Sequence, residues 1–317
     1  MFLFTTFVSS ALIETHEEKA FLSWMRENNY AYVAEEYAFR LGIYLSNMRY
    51  IKAHNKADSS YKLAANRFAA YTPAEYHSML SKPKSLAKKF ESAPLKQKKG
   101  PIPTEFDWRS KGVVTSVRYQ EGCGAGWAFA ATALQESMWA IYDQGLNHLS
   151  VQQLLDCDYN DDGCNGGSSD GASYFVLLNQ YGSWMYESDY PFKAYVGECK
   201  FNIDKAESKF VQLTYTKNET DMAYTVATHG VLACGYDASA SDFEWYSSGV
   251  YDNPDCDPWG ICHWMMICGY GTDAGKDYWI AKNSFGNTWG MEGYIQLVRN
   301  KNGQCGVDLL TFTHIIY

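Results

Sequence analysis

The sequence predicts an α+β protein in which a helical N-terminal segment precedes a larger, disulfide-rich body. Three observations point there. Residues between 16 and 55 recur at helical spacing, and a lysine-rich break follows at 82–100. Gln120 to Ala130, Gln-Glu-Gly-Cys-Gly-Ala-Gly-Trp-Ala-Phe-Ala, then forms a glycine-rich loop running into an apolar helix. The β-rich part is what a resemblance taken up below implies, and two strings in the last third of the chain carry it, Ile261 to Gly271 and Tyr278 to Gly290. With 317 residues, 46% of them hydrophobic and 16% aromatic, the chain has material for more than one packed core, and disorder is not expected.

Taken in order, Phe2 to Ile13 is apolar with small residues at Ser9, Ser10 and Ala11. It reads as a secretory signal peptide over residues 1–13 that lacks a basic n-region; a frayed hydrophobic start is the alternative. Ala20, Phe21, Trp24 and Met25 then recur at the spacing of an amphipathic helix. Glu36, Arg40, Tyr44, Asn47, Ile51 and Asn55 follow at intervals of 4, 4, 3, 4 and 4, one stripe of a longer helix. On that stripe Glu36 and Arg40 stand at a pairing distance. Residues 82–100 carry seven lysines and two prolines and read as a linker.

The net charge of −9 is unevenly spread: residues 1–100 hold 15 Lys+Arg against 9 Asp+Glu, residues 101–317 hold 12 against 27. A basic front half thus faces an acidic back half, which favours their docking and weakens as carboxylates protonate near about pH 4. Nucleic acid is excluded as a partner, because phosphate binding needs a basic surface and the larger part of the chain is acidic. No stretch approaches the roughly 18 to 20 apolar residues of a membrane-spanning helix. Nine cysteines point to an oxidising compartment, secreted or lysosomal/endosomal.

The stripe from Glu36 to Asn55 resembles the propeptide signature of the cathepsin L-like branch of the papain family, with Tyr44 where that signature has phenylalanine. Leu63 to Ala70 resembles the family's second propeptide element, keeping Asn66 and Phe68 but carrying Ala64 and Ala70 where the family has glycine and aspartate. Cys123-Gly124-Ala125-Gly126-Trp127 resembles the family's catalytic Cys-Gly-(Ser/Ala)-Cys-(Trp/Tyr), with Gly126 in the nucleophile's place. Ile261 to Gly271 resembles the strand carrying the family's catalytic histidine, here His263, and Tyr278 to Gly286 the string carrying its orienting asparagine, here Asn283.

The resemblance implies a papain-like two-domain fold, a helical left domain and a β-rich right domain, over residues 101–317. A helical, inhibitory-type propeptide would span residues 14–100. It further implies that Gln120 is the oxyanion donor, that Gly166 and Gly167 pair with substrate backbone, that Trp264, at the usually small floor of the pocket for the substrate's P2 side chain, fills that pocket or else swings into the core between the domains, and that Trp289 stands on the primed side. Ser169 and Ala233 occupy positions that vary with specificity. The disulfides implied are Cys123 with Cys164, Cys157 with Cys199, and Cys256 with Cys305, leaving Cys234, Cys262 and Cys268, for which core packing is the expected role. Cys262 adjoins His263, but strand neighbours point to opposite faces, so its thiol should not replace the lost one.

The functional expectation is a cathepsin L-like cysteine peptidase homologue that lacks peptide-bond hydrolysis and acts by binding peptide or protein ligands. Its own prosegment is expected in the cleft, protein inhibitors are further candidate partners, and a monomer is expected. No cofactor and no metal site are expected. Two rival readings stand beside it: a working endopeptidase in which Gly126 is an engineered or erroneous substitution, and a storage or structural protein. Asn218-Glu219-Thr220 is a glycan acceptor sequon if the chain is secreted.

Overall fold

In the computed structural model the described residues are 15–81 and 100–316; the expected signal peptide and nearly all of the lysine-rich linker lie outside them. The N-terminal segment opens with α1 (Thr15–Glu27) and α2 (Ala34–Lys56). Phe21, Trp24 and Met25, spaced i, i+3 and i+4, close over Leu41, Tyr44 and Leu45 of α2 together with Ala69 and Ala70. The buried stripe starts at Phe21 and leaves Ala20 exposed.

Arg40 reaches Glu36 only at 3.6 Å. Its main partner is instead Glu75, which accepts from Nη1 and Nη2 at 2.7 and 2.6 Å. The fork geometry explains the preference, since two parallel bonds to one carboxylate outdo a single i,i+4 contact. Glu75 also closes a capping box with Thr72 at the start of the short α3 (Pro73–Ser78), so one carboxylate ties the long helix to the short one.

Between α2 and α3 lies β1 (Tyr61–Leu63), which pairs antiparallel with β7 (Tyr246–Tyr251) of the body. The body begins with β2 (Phe106–Asp107) and the central helix α4 (Gly126–Ile141), followed by α5 (Val151–Cys157), α6 (Ser169–Asn179) and the hairpin of β3 (Ser183–Met185) with β4 (Ala206–Lys209). Disulfides Cys123–Cys164 and Cys157–Cys199 hold this helical half, as implied by the resemblance.

The other half is a sheet, built from β5 (Gln212–Tyr215), β6 (Leu232–Tyr236), β7, β8 (His263–Asp273), β9 (Lys276–Lys282), β10 (Tyr294–Val298) and β11 (Thr311–Ile315). Its order is β1-β7-β10-β9-β8-β6-β11-β5, with β2 on β8 and β10 parallel to β7. Helix α7 (Glu219–Thr228) packs beside β6 and β8, and the single-turn α8 (Ser241–Glu244) leads into β7. Cys256–Cys305 is the third implied disulfide.

Two cores result. Trp127, Leu134 and Met138 of α4 share one with Trp264, Met266 and Phe312 from the sheet. The other joins Trp279, Trp289 and Ile295 to Ile51, Leu63, Phe68, Tyr76 and Met79 of the N-terminal segment. Phe68 and Tyr76 are almost wholly buried there, each worth about 1.5–3 kcal/mol in area removed from water. The segment is thus seated in the body's own core.

Candidate active site

Four stretches distant in sequence meet at the first turn of α4. The helix starts at Gly126 with no side-chain cap, and in its first turn Ala128 N already donates to Ala125 O at 2.9 Å. Three neighbours frame that end. The indole of Trp127 donates to Gly163 O at 3.0 Å. Gly167 lies so close to Trp127 that an added Cβ would stand 2.6 Å from the ring, so only glycine fits the loop there. Gly166 holds φ at 120°, a conformation glycine alone adopts freely.

Gln120 is fully buried and every polar atom of its amide is engaged. Nε2 donates to Cys123 O and to Met79 O, both at 2.8 Å, while Oε1 accepts from Ser284 Oγ at 2.6 Å. Met79 belongs to the N-terminal segment, so a carbonyl of that segment sits on the donor that the resemblance assigns to an oxyanion. Leu80 follows it: a Cβ on Gly124 would lie 3.3 Å from Leu80 O.

His263, the first residue of β8, is also fully buried. Asn283 Oδ1 accepts from its Nε2 at 2.8 Å and from Ser284 N at 2.7 Å. With Nε2 donating, Nδ1 is the nitrogen with the bare lone pair, and among the described residues it has no hydrogen-bond partner; neither has Asn283 Nδ2. Burial pulls the imidazole down to a pKa of about 4, against a smaller upward pull from Asn283, so the ring is neutral over most of the pH range.

Phe285 tilts over the ring at 4.8 Å between centroids and shields the His263–Asn283 bond. Phe68 and Tyr76 of the N-terminal segment pack edge-on against Phe285 at 5.3 and 6.2 Å. The imidazole leans onto Gly126: a Cβ built there would stand 2.5 Å from His263 Cε1 and 2.6 Å from Nδ1.

Trp264 is buried against α4, where it lines a cavity of about 10 Å³ with Phe129, Ala130, Ala133, Asn283 and Ser284. That space is about the room of one water and borders Arg118 and Lys282 as well, so the indole lies in the core between α4 and the sheet. Trp289 is fully buried, donates to Glu244 O at 3.0 Å and stands edge-on to Phe285. Ser169 Oγ donates to Trp127 O at 2.6 Å, and Ala233 is buried in the helical core.

Cys262 Sγ reaches Asp237 Oδ1 at 3.6 Å, and burial pushes its pKa up to about 12. The free thiols Cys234 and Cys268 are buried and likewise raised to about 12. None is poised as a thiolate.

A buried ion network behind Asn283 escaped the sequence reading. Lys282 Nζ donates to Thr115 Oγ1 at 2.7 Å, and Thr115 donates in turn to Glu136 of α4. Glu136 also accepts from Arg118 Nη2 at 2.7 Å and from Leu149 N at 2.9 Å. Burial draws Lys282 down to about 8, whereas the neighbouring cations and donors hold Glu136 near 2 despite its burial. A lone carboxylate in an otherwise uncharged helix and a lysine ending an apolar strand were the available signals.

Known proteins supply the frame for these contacts. Residues 102–315 match the family described as Papain family cysteine protease, and residues 21–76 match the Cathepsin propeptide inhibitor domain. A probable thiol protease of Glycine max is 38% identical over 310 residues, covering 91% of this chain and 81% of that protein. Cathepsin L1 of Drosophila melanogaster is 36% identical over 298 residues, covering 88% and 79%. Among solved structures, digestive procathepsin L2 from Tenebrio molitor larval midgut superposes with a TM-score of 0.88 at 32% identity, covering 95% of this chain and 100% of that one. A buried His–Asn pair facing the first turn of a central helix, beneath an N-terminal segment that reaches into the cleft, is the arrangement those likenesses lead one to expect, and the chain belongs to the papain family of cysteine proteases, cathepsin L-like, with a cathepsin-type propeptide.

Proposed function

We propose that this protein is a papain-family homologue that binds peptide or protein ligands in its cleft without hydrolysing them. One observation carries the reading: the residue facing His263 Nδ1 at the start of α4 is glycine, so no sulfur stands where the base would take a proton. In the family chemistry a thiolate attacks the peptide carbonyl, the histidine shuttles the proton, and the glutamine amide with a backbone N–H holds the oxyanion. Removing the nucleophile of a comparable triad costs on the order of 10^6-fold in kcat, about 8 kcal/mol of barrier. The buried thiols, raised to about 12, offer no substitute.

Glycine also accounts for how the site rests. With no Cβ at 126, the imidazole settles against backbone, where any side chain would collide with it. The prosegment supports the binding half of the reading, because Met79 O on Gln120 is a peptide carbonyl held by the retained donor. Secretion or lysosomal residence fits the disulfides and the cathepsin relatives.

The test is hydrolysis of fluorogenic peptides at about pH 5 under reducing conditions by the Gly126 protein and by Gly126→Cys, each with the prosegment cut away, alongside a binding measurement with the same peptides. The Gly126 protein should bind without turnover. Cleavage by it, blocked by an epoxide thiol inhibitor, would overturn the reading; absence of both binding and cleavage would favour a storage or structural role.

A further inference from the structure

The sequence contains a single Asn-x-Ser/Thr tripeptide, Asn218-Glu219-Thr220, and the fold uses it to begin α7. Asn218 is the N-cap: its backbone is extended and its Oδ1 accepts from Asp221 N at 3.0 Å. Glu219 turns inward. Its carboxylate accepts from Trp279 Nε1 at 3.1 Å, from Asn300 N at 2.7 Å, from Lys301 N at 3.2 Å and from Gly303 N at 3.1 Å.

That anchor fixes which way the tripeptide faces. With the middle residue pinned inside, Asn218 and Thr220 are both exposed. They border an open depression of about 430 Å³ shared with Lys217, Asp221 and Tyr224. The cap employs only Oδ1, and among the described residues no hydrogen bond ties Nδ2.

We propose that Asn218 is an N-glycosylation site. The donor class is a lipid-diphosphate-linked oligosaccharide, met by the nascent chain in the secretory lumen. Nδ2 forms a bond to the anomeric carbon as the bond from that carbon to the phosphate oxygen breaks. The lipid diphosphate leaves with the electron pair, and a base of the transferase takes the displaced amide proton. The product keeps its amide carbonyl, so folding can still use Oδ1 to cap α7 while the sugar extends over the depression beside Tyr224.

This inference concerns a surface on α7 and stands apart from the cleft reading. It requires entry into the secretory lumen, which the experiment reads directly. Translation of the full-length chain with endoplasmic-reticulum microsomes, followed by protease protection and peptide-N-glycosidase treatment, should give a protected chain with one glycosidase-sensitive mobility shift. Peptide mass spectrometry should then find aspartate at position 218 after deglycosylation. Thr220→Ala should abolish the shift and Thr220→Ser should retain it, and both leave the Asn218 cap in place, so loss of fold cannot mimic loss of the sugar. A protected chain without the shift overturns the proposal, and so does an unprotected chain, because such a chain never meets the transferase.

Discussion

The two halves of the candidate site differ in how their polar atoms are used. On the oxyanion side, Gln120 engages its whole amide with Cys123, Met79 and Ser284. On the base side, His263 Nδ1 and Asn283 Nδ2 lie buried with no partner among the described residues. Buried polar groups are nearly always paired, so the contrast marks where a partner belongs. Donors that point at backbone are satisfied by backbone from the prosegment, whereas the nitrogen that needs a side chain at 126 finds only a hydrogen on carbon.

The largest effect should come from supplying that partner. Gly126→Cys is expected to raise peptidase activity above that of the Gly126 protein, within a ceiling set by the roughly 10^6-fold worth of a triad nucleophile, with turnover read on a fluorogenic peptide. The imidazole must rotate off the helix first, since the new Cβ would lie 2.5 Å from Cε1. An inactive variant would show that the base half has lost more than its sulfur.

A stability comparison sharpens the contrast. Gln120→Ala strands Ser284 Oγ and Met79 O, while Cys123 O keeps its bond from Ala125 N, and should cost about 2–6 kcal/mol, at 1–3 kcal/mol for each buried group left unsatisfied. His263→Met, an apolar side chain replacing a ring with one unpaired nitrogen, should cost about 1 kcal/mol. Equal shifts in urea midpoint would break the distinction between the halves. Gly126→Ala lies between, at about 1–3 kcal/mol for a methyl driven into the imidazole, and a neutral result would mean that the ring is free to move.

The smallest effect concerns a third unpartnered atom. Glu244 Oε1 is buried without a partner among the described residues, and burial, with a lesser push from Glu75, raises the carboxyl to about 9. For an acid raised in this way the folded state keeps its proton, so the carboxyl costs nothing below its ordinary pKa near about 4.5 and destabilises increasingly as pH climbs toward about 9. Glu244→Gln should therefore match the unsubstituted protein near about pH 4.5 and gain a few degrees in Tm as pH rises. Glu75 has the opposite sign: Arg40 holds it down to about 2, so its contribution persists above about 4.5 and is lost only as pH falls through about 2. A Tm difference independent of pH would refute the assignment for Glu244.

Much of the site was readable because catalysis is written in short strings. Gln120, Gly126, His263 and Asn283 each sit in a local pattern, and so do the half-cystines that the structure pairs as implied. What escaped is contact between distant backbone and side chains. Nothing in Met79 announces that its carbonyl meets Gln120, because every residue has a carbonyl. Arg40 stands within pairing reach of Glu36 four residues away, yet the fork fits Glu75, and the Thr72-x-x-Glu75 capping pattern was the clue left unread. The lean of His263 onto Gly126 could not be foreseen either, since a missing side chain states a vacancy but not which neighbour fills it.

The pairing of Tyr61–Leu63 with β7 has a consequence for the released body. Because β1 is the outermost strand of the sheet, detaching the prosegment turns β7 into an open edge with unpaired N–H and C=O groups, a template on which a foreign strand or a second copy can add. Release of the propeptide would therefore leave the body with a strand edge at β7 to be covered, so that the propeptide closes the sheet with β1 as well as reaching toward the cleft.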